Sequence, residues 1–138
     1  LIGIGMAGLT QFNLDVCATK ENAKCDIWLK DALDVEWKHF NNPGRCWMNP
    51  PHSKLEKLCK KAFLEVSNGN ALFVVAVLPA RTDTKAFHNW IYGKANIEFI
   101  KGRLLFTVNG RPVLDKKGRP QRAPFPSMIV VWSKGINS

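Results

Sequence analysis

The run ALFVVAVL, residues 71–78, is unbroken apolar sequence rich in β-branched side chains. A strand with one face in water alternates apolar and polar residues. A continuous run therefore requires cover on both faces, as in a parallel sheet flanked by helices. The preceding segment supplies such cover. Leu55, Leu58, Cys59, Ala62, Phe63 and Val66 recur at helical spacing, with Lys54, Lys57, Lys60, Lys61 and Glu65 around the other face, and Gly69 is a natural stop. Ser53 and Glu56 have the spacing of a capping box, in which each side chain answers a free backbone N–H at the helix start. Pro79 is expected to end the apolar run.

The same reading expects strands in FNLDVCA (12–18), RCWMN (45–49), NIEFI (96–100), RLLFTV (103–108) and SMIVVW (127–132). It expects a second helix in TDTKAFHNWIY (82–92), and a short helix and short strand within the mixed segment 21–37. Strand and helix alternate, so the fold class is α/β with a mainly parallel sheet, in one domain over residues 1–138. Ligands of such sheets bind beyond the carboxyl ends of the strands. Asn49 stands at such an end, and so does Asp15.

Formal charge is +9, from 20 Lys and Arg against 11 acids, which favours a polyanionic partner such as nucleic acid. Much of the excess lies in a basic loop at 108–124, where Arg111, Lys116, Lys117, Arg119 and Arg122 face Asp115 alone. Loops of that length are usually functional or disordered, and a hairpin-like excursion is the plainer alternative. The four cysteines form no C-x-x-C pair, so no metal site is expected, and a reducing cytosol suits them. No run of about 18 apolar residues suggests a membrane span. The chain opens without Met and reads as a fragment.

The chemistry concentrates in CWMNPPHS, residues 46–53. Proline fixes its own φ and holds the residue before it extended. Asn49-Pro50-Pro51 is thus a stiff corner offering the Asn49 side-chain oxygen and the Pro50 carbonyl as fixed acceptors. Two acceptors near one point suit a planar amino group. Accepting both its hydrogens draws the nitrogen from planarity and frees its lone pair. A ring at position 52 can stack on the heterocycle that bears the amino group, the usual way an extruded base is held. His52 is that ring. N-P-P arises by chance in about one chain in fifty of this length, so a stiffened strand-to-helix turn is the competing explanation.

At these residues the chain resembles the phage-type N6-adenine DNA methyltransferases. FNLDVCATKENAKC, DAL followed by EW, CWMNPPHS, VVAVLPARTDTKAFHNWIYGKANIEFIKGRLLF and APFPSMIVVW fall in the family's order across residues 12–132. The resemblance implies a Rossmann-like fold, S-adenosylmethionine as methyl donor and double-stranded DNA as acceptor. It implies Asn49, Pro50, Pro51 and His52 as the catalytic tetrapeptide. Asp15, Cys17, Ala18 and Asn49 would stand beside the cofactor, and Asp31 near the amino group of its adenine. Arg81, Lys101 and Arg103, at expected strand ends, join the basic loop as phosphate contacts; solvated surface charge is the alternative for each. A phage or prophage origin and a location in the host cytoplasm follow from the same likeness.

Two departures stand out. The family's usual ring after Pro-Pro is Tyr, Phe or Trp, where this chain has His52. Relatives carry an upstream segment with Trp and Thr-Pro, where residues 1–11 read LIGIGMAGLTQ, so the chain is expected to lack the usual N-terminal segment. GIGMAG (3–8) matches G-x-G-x-x-G but has neither a full strand before it nor room for a helix before Asp15, and is set aside. Two other functions stay open at this point. One is an inactive nucleic-acid-binding remnant of the same fold; the other is an amino-methyltransferase acting on RNA or a protein glutamine.

Overall fold

The structure, a computed structural model, describes residues 12–17, 29, 32–108 and 110–134. Its centre is β4 (Ala71–Pro79), the apolar run. Val74, Ala76 and Leu78 pack into the larger core under helix α1 (Leu55–Ser67), while Phe73 and Val75 enter a second cluster with Trp47, Ile129 and Val131. Alternating side chains of one strand thus reach apolar cover on both faces, as the continuous run requires.

Parallel neighbours of β4 lie on one side: β3 (Asn42–Met48), and beyond it the short β1 (Leu14–Asp15). On the other side β8 (Ser127–Ser133) runs antiparallel to β4, and β5 (Asn96–Phe99) runs antiparallel to β8. The order is β1-β3-β4-β8-β5, with β2 (Lys38–His39) antiparallel on β3. Along that path β8 alone is reversed. The sheet is therefore mixed, which corrects the expected mainly parallel pairing: inserting one reversed strand makes two of the four pairings antiparallel.

Several expected elements change shape. FNLDVCA contributes only Leu14–Asp15 as strand. RLLFTV leaves the sheet: β6 (Thr107–Val108) pairs instead with β7 (Arg111–Pro112), and Gly110 between them takes φ +77°. A glycine at positive φ permits a tight reversal and so a local antiparallel partner. The capping box does not form. A 3-10 turn over His52–Lys54 precedes α1, and its backbone amides are satisfied by carbonyls, with Lys54 N–H donating to Pro51 O at 3.1 Å. Ser53 lies inside that turn, one place too early to cap.

Glu65, expected on the polar face of α1, is buried. It accepts the Trp37 backbone N–H at 2.5 Å and the Asn70 side-chain amide at 3.1 Å, with Lys61 Nζ 3.7 Å away. The second helix is short and helical over 85–91. The Thr84 hydroxyl accepts Phe87 N–H at 3.2 Å, and a π-helical turn follows over Phe87–Ile91. The Trp90 carbonyl accepts the Trp132 indole N–H at 2.8 Å, which ties that turn to β8.

Candidate active site

Strand directions bring the site together. β1, β3, β4 and β5 point the same way, so their carboxyl ends share one edge with the start of β8. Registers Asp15 to Trp47, Met48 to Ala76, Pro79 to Ser127 and Phe99 to Met128 mark that edge. Asn49 leaves it directly from β3 and is exposed, while Pro50 is buried and anchors the corner. Pro51 adopts φ −64° and ψ 144°, the extended geometry its ring enforces. Its carbonyl is occupied by Lys54 N–H. Among the described residues no protein donor engages the Asn49 side chain or the Pro50 carbonyl. Two acceptors are thus left for something else.

His52 is exposed at the first turn after the corner. Its ring meets Phe125 edge to face, with centroids 5.2 Å apart, and the Arg81 guanidinium lies 5.6 Å from the Phe125 centroid. Beside them opens a cleft of about 480 Å3, walled by His52, Glu56, Arg81, Thr84, Lys85 and Phe87, with Met128 among its apolar residues. Asn49 is not among its walls. The tetrapeptide therefore borders this cleft through His52.

On the opposite flank stands the end of β1. Asp15 is buried, Cys17 N–H donates to its Oδ1 at 3.3 Å, and Val16 N–H bonds the Trp47 carbonyl at 3.1 Å. Asp15 and Cys17 are thereby fixed one strand from Asn49. Burial pushes the Cys17 thiol up to about 12, the negative charge of Asp15 adds to this, and Lys54 opposes it. Burial also pushes Cys59 up to about 12, followed by the effects of Cys17 and Glu56. Both thiols stay protonated at neutral pH and are poor nucleophiles. Ala18 and Asp31, the other expected cofactor neighbours, lie outside the described residues.

The basic residues share the same edge. Arg81 follows β4, and exposed Lys101 and Arg103 follow β5. The expected loop at 108–124 is instead a folded ribbon. Phe106 N–H bonds Gln121 O at 2.9 Å, Val113 N–H bonds Phe106 O at 2.9 Å, and Ala123 N–H bonds Leu104 O at 2.7 Å. Arg111, Lys116, Lys117, Arg119 and Arg122 are exposed on it. Arg119 is engaged by Asp115 at 3.2 Å, and the Arg122 guanidinium donates to the Arg103 carbonyl at 3.3 Å. Asp115 also accepts the N–H groups of Arg119 and Lys117; the Arg119 bond does most to hold its carboxyl below the usual range.

Phe125 is the site residue that sequence reasoning missed. Its signal is A-P-F-P, one ring held between two prolines at the start of β8. Thr84 and Glu56 gave no such signal.

Fold and site together define an α/β protein with a proline-stiffened, ring-flanked acceptor corner at the carboxyl edge of its sheet. The chain belongs to the DNA N-6-adenine-methyltransferase (Dam) family, whose model matches residues 5–137. It is similar to a DNA N-6-adenine-methyltransferase of Escherichia phage T1, with 25% identity over 100 residues. That stretch is 72% of this chain and 41% of the phage protein, so the chain spans well under half the length of that relative. No solved structure matches the chain.

Proposed function

We propose that the protein transfers a methyl group from S-adenosylmethionine to the N6 amino group of adenine in double-stranded DNA, on a Rossmann-like frame. The observation that carries this is the corner at Asn49-Pro50, where proline stiffens the backbone and, among the described residues, no protein donor engages the Asn49 side chain or the Pro50 carbonyl. Family membership and the phage relative support adenine as the acceptor base. The strand–helix–strand unit β3–α1–β4, with its parallel strands, supports the frame.

S-adenosylmethionine supplies, when bound, an electrophilic methyl group on a sulfonium. Asp15 and Cys17 would hold it at the end of β1, with Ala18 and Asp31 beside them. The donor set fits: a buried carboxylate suits a cationic ligand, and a thiol kept protonated does not compete for the methyl group. Asn49 Oδ1 and Pro50 O accept the two N6 hydrogens of an extruded adenine. This frees the nitrogen lone pair, and the same oxygens stabilise positive charge developing there. His52 stacks on the base, and Phe125 braces His52 edge-on. Arg81, Lys101, Arg103 and the ribbon cations neutralise phosphates. The phage relative supports a phage or prophage enzyme at work in a bacterial host.

The test is labelled cofactor offered with DNA, RNA and total protein, followed by digestion of each. Label in N6-methyldeoxyadenosine is the expected result. Label in RNA or glutamine, or in none of the acceptors, overturns the reading.

A further inference from the structure

The sheet ends on β5, and among the described residues no strand pairs with its outer side. Which backbone groups face outward follows from the antiparallel pattern, in which successive residues alternate between bonding the neighbour and pointing away from it. Ile100 N–H donates to Ser127 O at 3.0 Å, and the pairs Glu98 to Ile129 and Asn96 to Val131 continue that ladder by twos. Asn96 and Glu98 therefore bond β8, while the N–H and C=O groups of Ile97 and Phe99 point out of the sheet. A row of unpaired backbone groups is a template for one more strand. The side chains divide between the two faces. Ile97 and Phe99 share one face with Ala95 before them, and Phe99 is 58% exposed. Lys94, Asn96 and Glu98 share the other, where Asn96 and Glu98 are exposed.

A chain can meet its own edge strand across a two-fold axis, and each residue then opposes a fixed partner. Charge and backbone bonds choose the register. An axis at Glu98 sets that carboxylate against its own copy, and like charges directly opposite are destabilising. An axis at Phe99 puts Glu98 opposite the apolar Ile100. An axis at Asn96 needs the Ala95 N–H, which the Ile91 carbonyl already holds at 3.0 Å. With the axis at Ile97, this residue exchanges two bonds with its copy, and each Phe99 N–H donates to an Ala95 carbonyl. Phe99, Ile97 and Ala95 then run along Ala95, Ile97 and Phe99 of the second copy as one apolar stripe. On the other face Glu98 lies opposite the Asn96 amide of the second copy, with Lys94 of that copy on the diagonal. We infer that the chain forms a symmetric dimer by pairing β5 with β5 of a second copy, antiparallel and centred on Ile97. β1, β3, β4 and β5 point the same way in one copy, so the catalytic edges of the two copies face apart and both stay open. The contact does not depend on the methylation reading.

Sedimentation of the DNA-free full chain from about 1 μM to about 1 mM tests the pairing, with residue-resolved amide exchange at both ends of that range. A monomer–dimer equilibrium is expected, without larger species, because an isologous contact closes on itself. The Ile97 and Phe99 amides should exchange about tenfold more slowly, or slower still, in the dimer. Those of Asn96 and Glu98, already bonded to β8, should change little. Glu98→Lys and Lys94→Glu should each weaken the dimer by about tenfold, and the two together should restore it. Phe99→Pro removes an outward N–H and should abolish the dimer, since proline is tolerated on an edge strand but cannot donate to a new ladder. Circular dichroism serves as the folding control, and the charge reversals decide the matter if the proline variant does not fold. A chain that stays monomeric across the range overturns the inference, as does assembly beyond the dimer. A dimer that leaves the Ile97 and Phe99 amides unprotected, that survives Phe99→Pro in a folded chain, or that ignores both charge reversals overturns it as well.

Discussion

Replacing Glu65 by alanine should unfold the protein at far milder conditions, although Glu65 sits in a helix that otherwise presents lysines to water. The carboxylate is the acceptor for the backbone N–H of Trp37, a residue with 0% exposure, and for the Asn70 amide. Truncation strands a buried N–H, at about 1–3 kcal/mol, and removes a charge-assisted bond from Asn70 worth about 1.5–3 kcal/mol. Lys61, partly exposed, can swing to water and adds little. The sum is roughly 3–5 kcal/mol, against a total of about 7–20 kcal/mol expected for 138 residues. At about 3–5 °C per kcal/mol for a domain of this size, the melting temperature should fall by roughly 10–20 °C. Urea titration followed by tryptophan fluorescence should show a lower midpoint with an unchanged slope. Glu65→Gln keeps an acceptor for Trp37 and should lose less than half as much. A Glu65→Ala midpoint within about 1 kcal/mol of wild type would refute the argument that this carboxylate closes the gap between α1 and the Trp37 segment.

Other perturbations test other joints of the account. The thiols of Cys17 and Cys59 are raised from 9.0 to about 12, so the folded chain keeps both protons after the unfolded chain begins to lose them. Their contribution is therefore complete below pH 9.0 and declines as pH rises toward 12, by up to about 1.4 kcal/mol per pH unit for each thiol. Urea titrations across that window should show the decline, and a Cys17→Ser variant should remove its share and leave that of Cys59. Gly44→Ala should destabilise at the upper end of the ~1–3 kcal/mol typical of overpacking, because its Cβ would collide with the Trp37 carbonyl; circular dichroism melts read the loss. Saturating S-adenosylmethionine should raise the melting temperature, by an amount equivalent to about 2.7 kcal/mol at a hundredfold excess over Kd, and Asp15→Ala should remove most of the shift.

The parts of the fold that were legible in the sequence are those fixed by near neighbours. α1 and β4 are written in local periodicity and in one continuous apolar run, and both form where that pattern puts them. The Asn49–His52 corner is legible because proline constrains its backbone covalently, whatever surrounds it. What depended on distant partners was not. Nothing near Glu65 announces the Trp37 N–H that draws it inward, and nothing near Ser53 shows that Pro51 and His52 carbonyls satisfy the helix start. The insertion of reversed β8 between β4 and β5 is a long-range pairing choice, invisible to a local window. RLLFTV reads as a sheet strand by composition, yet its end pairs locally with Arg111–Pro112. Phe125 escaped for the same reason as Glu65: its neighbour His52 lies in another part of the chain.

The central claim is that one corner at the end of β3 holds the acceptors that activate an adenine amino group. Asn49→Ala removes one of them from an exposed position, so the fold and its melting temperature should be unaffected. Methyl incorporation into DNA adenine should fall by about a hundredfold to a thousandfold, the usual loss when one preorganised polar group is removed from a reacting centre. Incorporation equal to wild type, from a variant shown to be folded and to bind DNA normally, would contradict the account at its root.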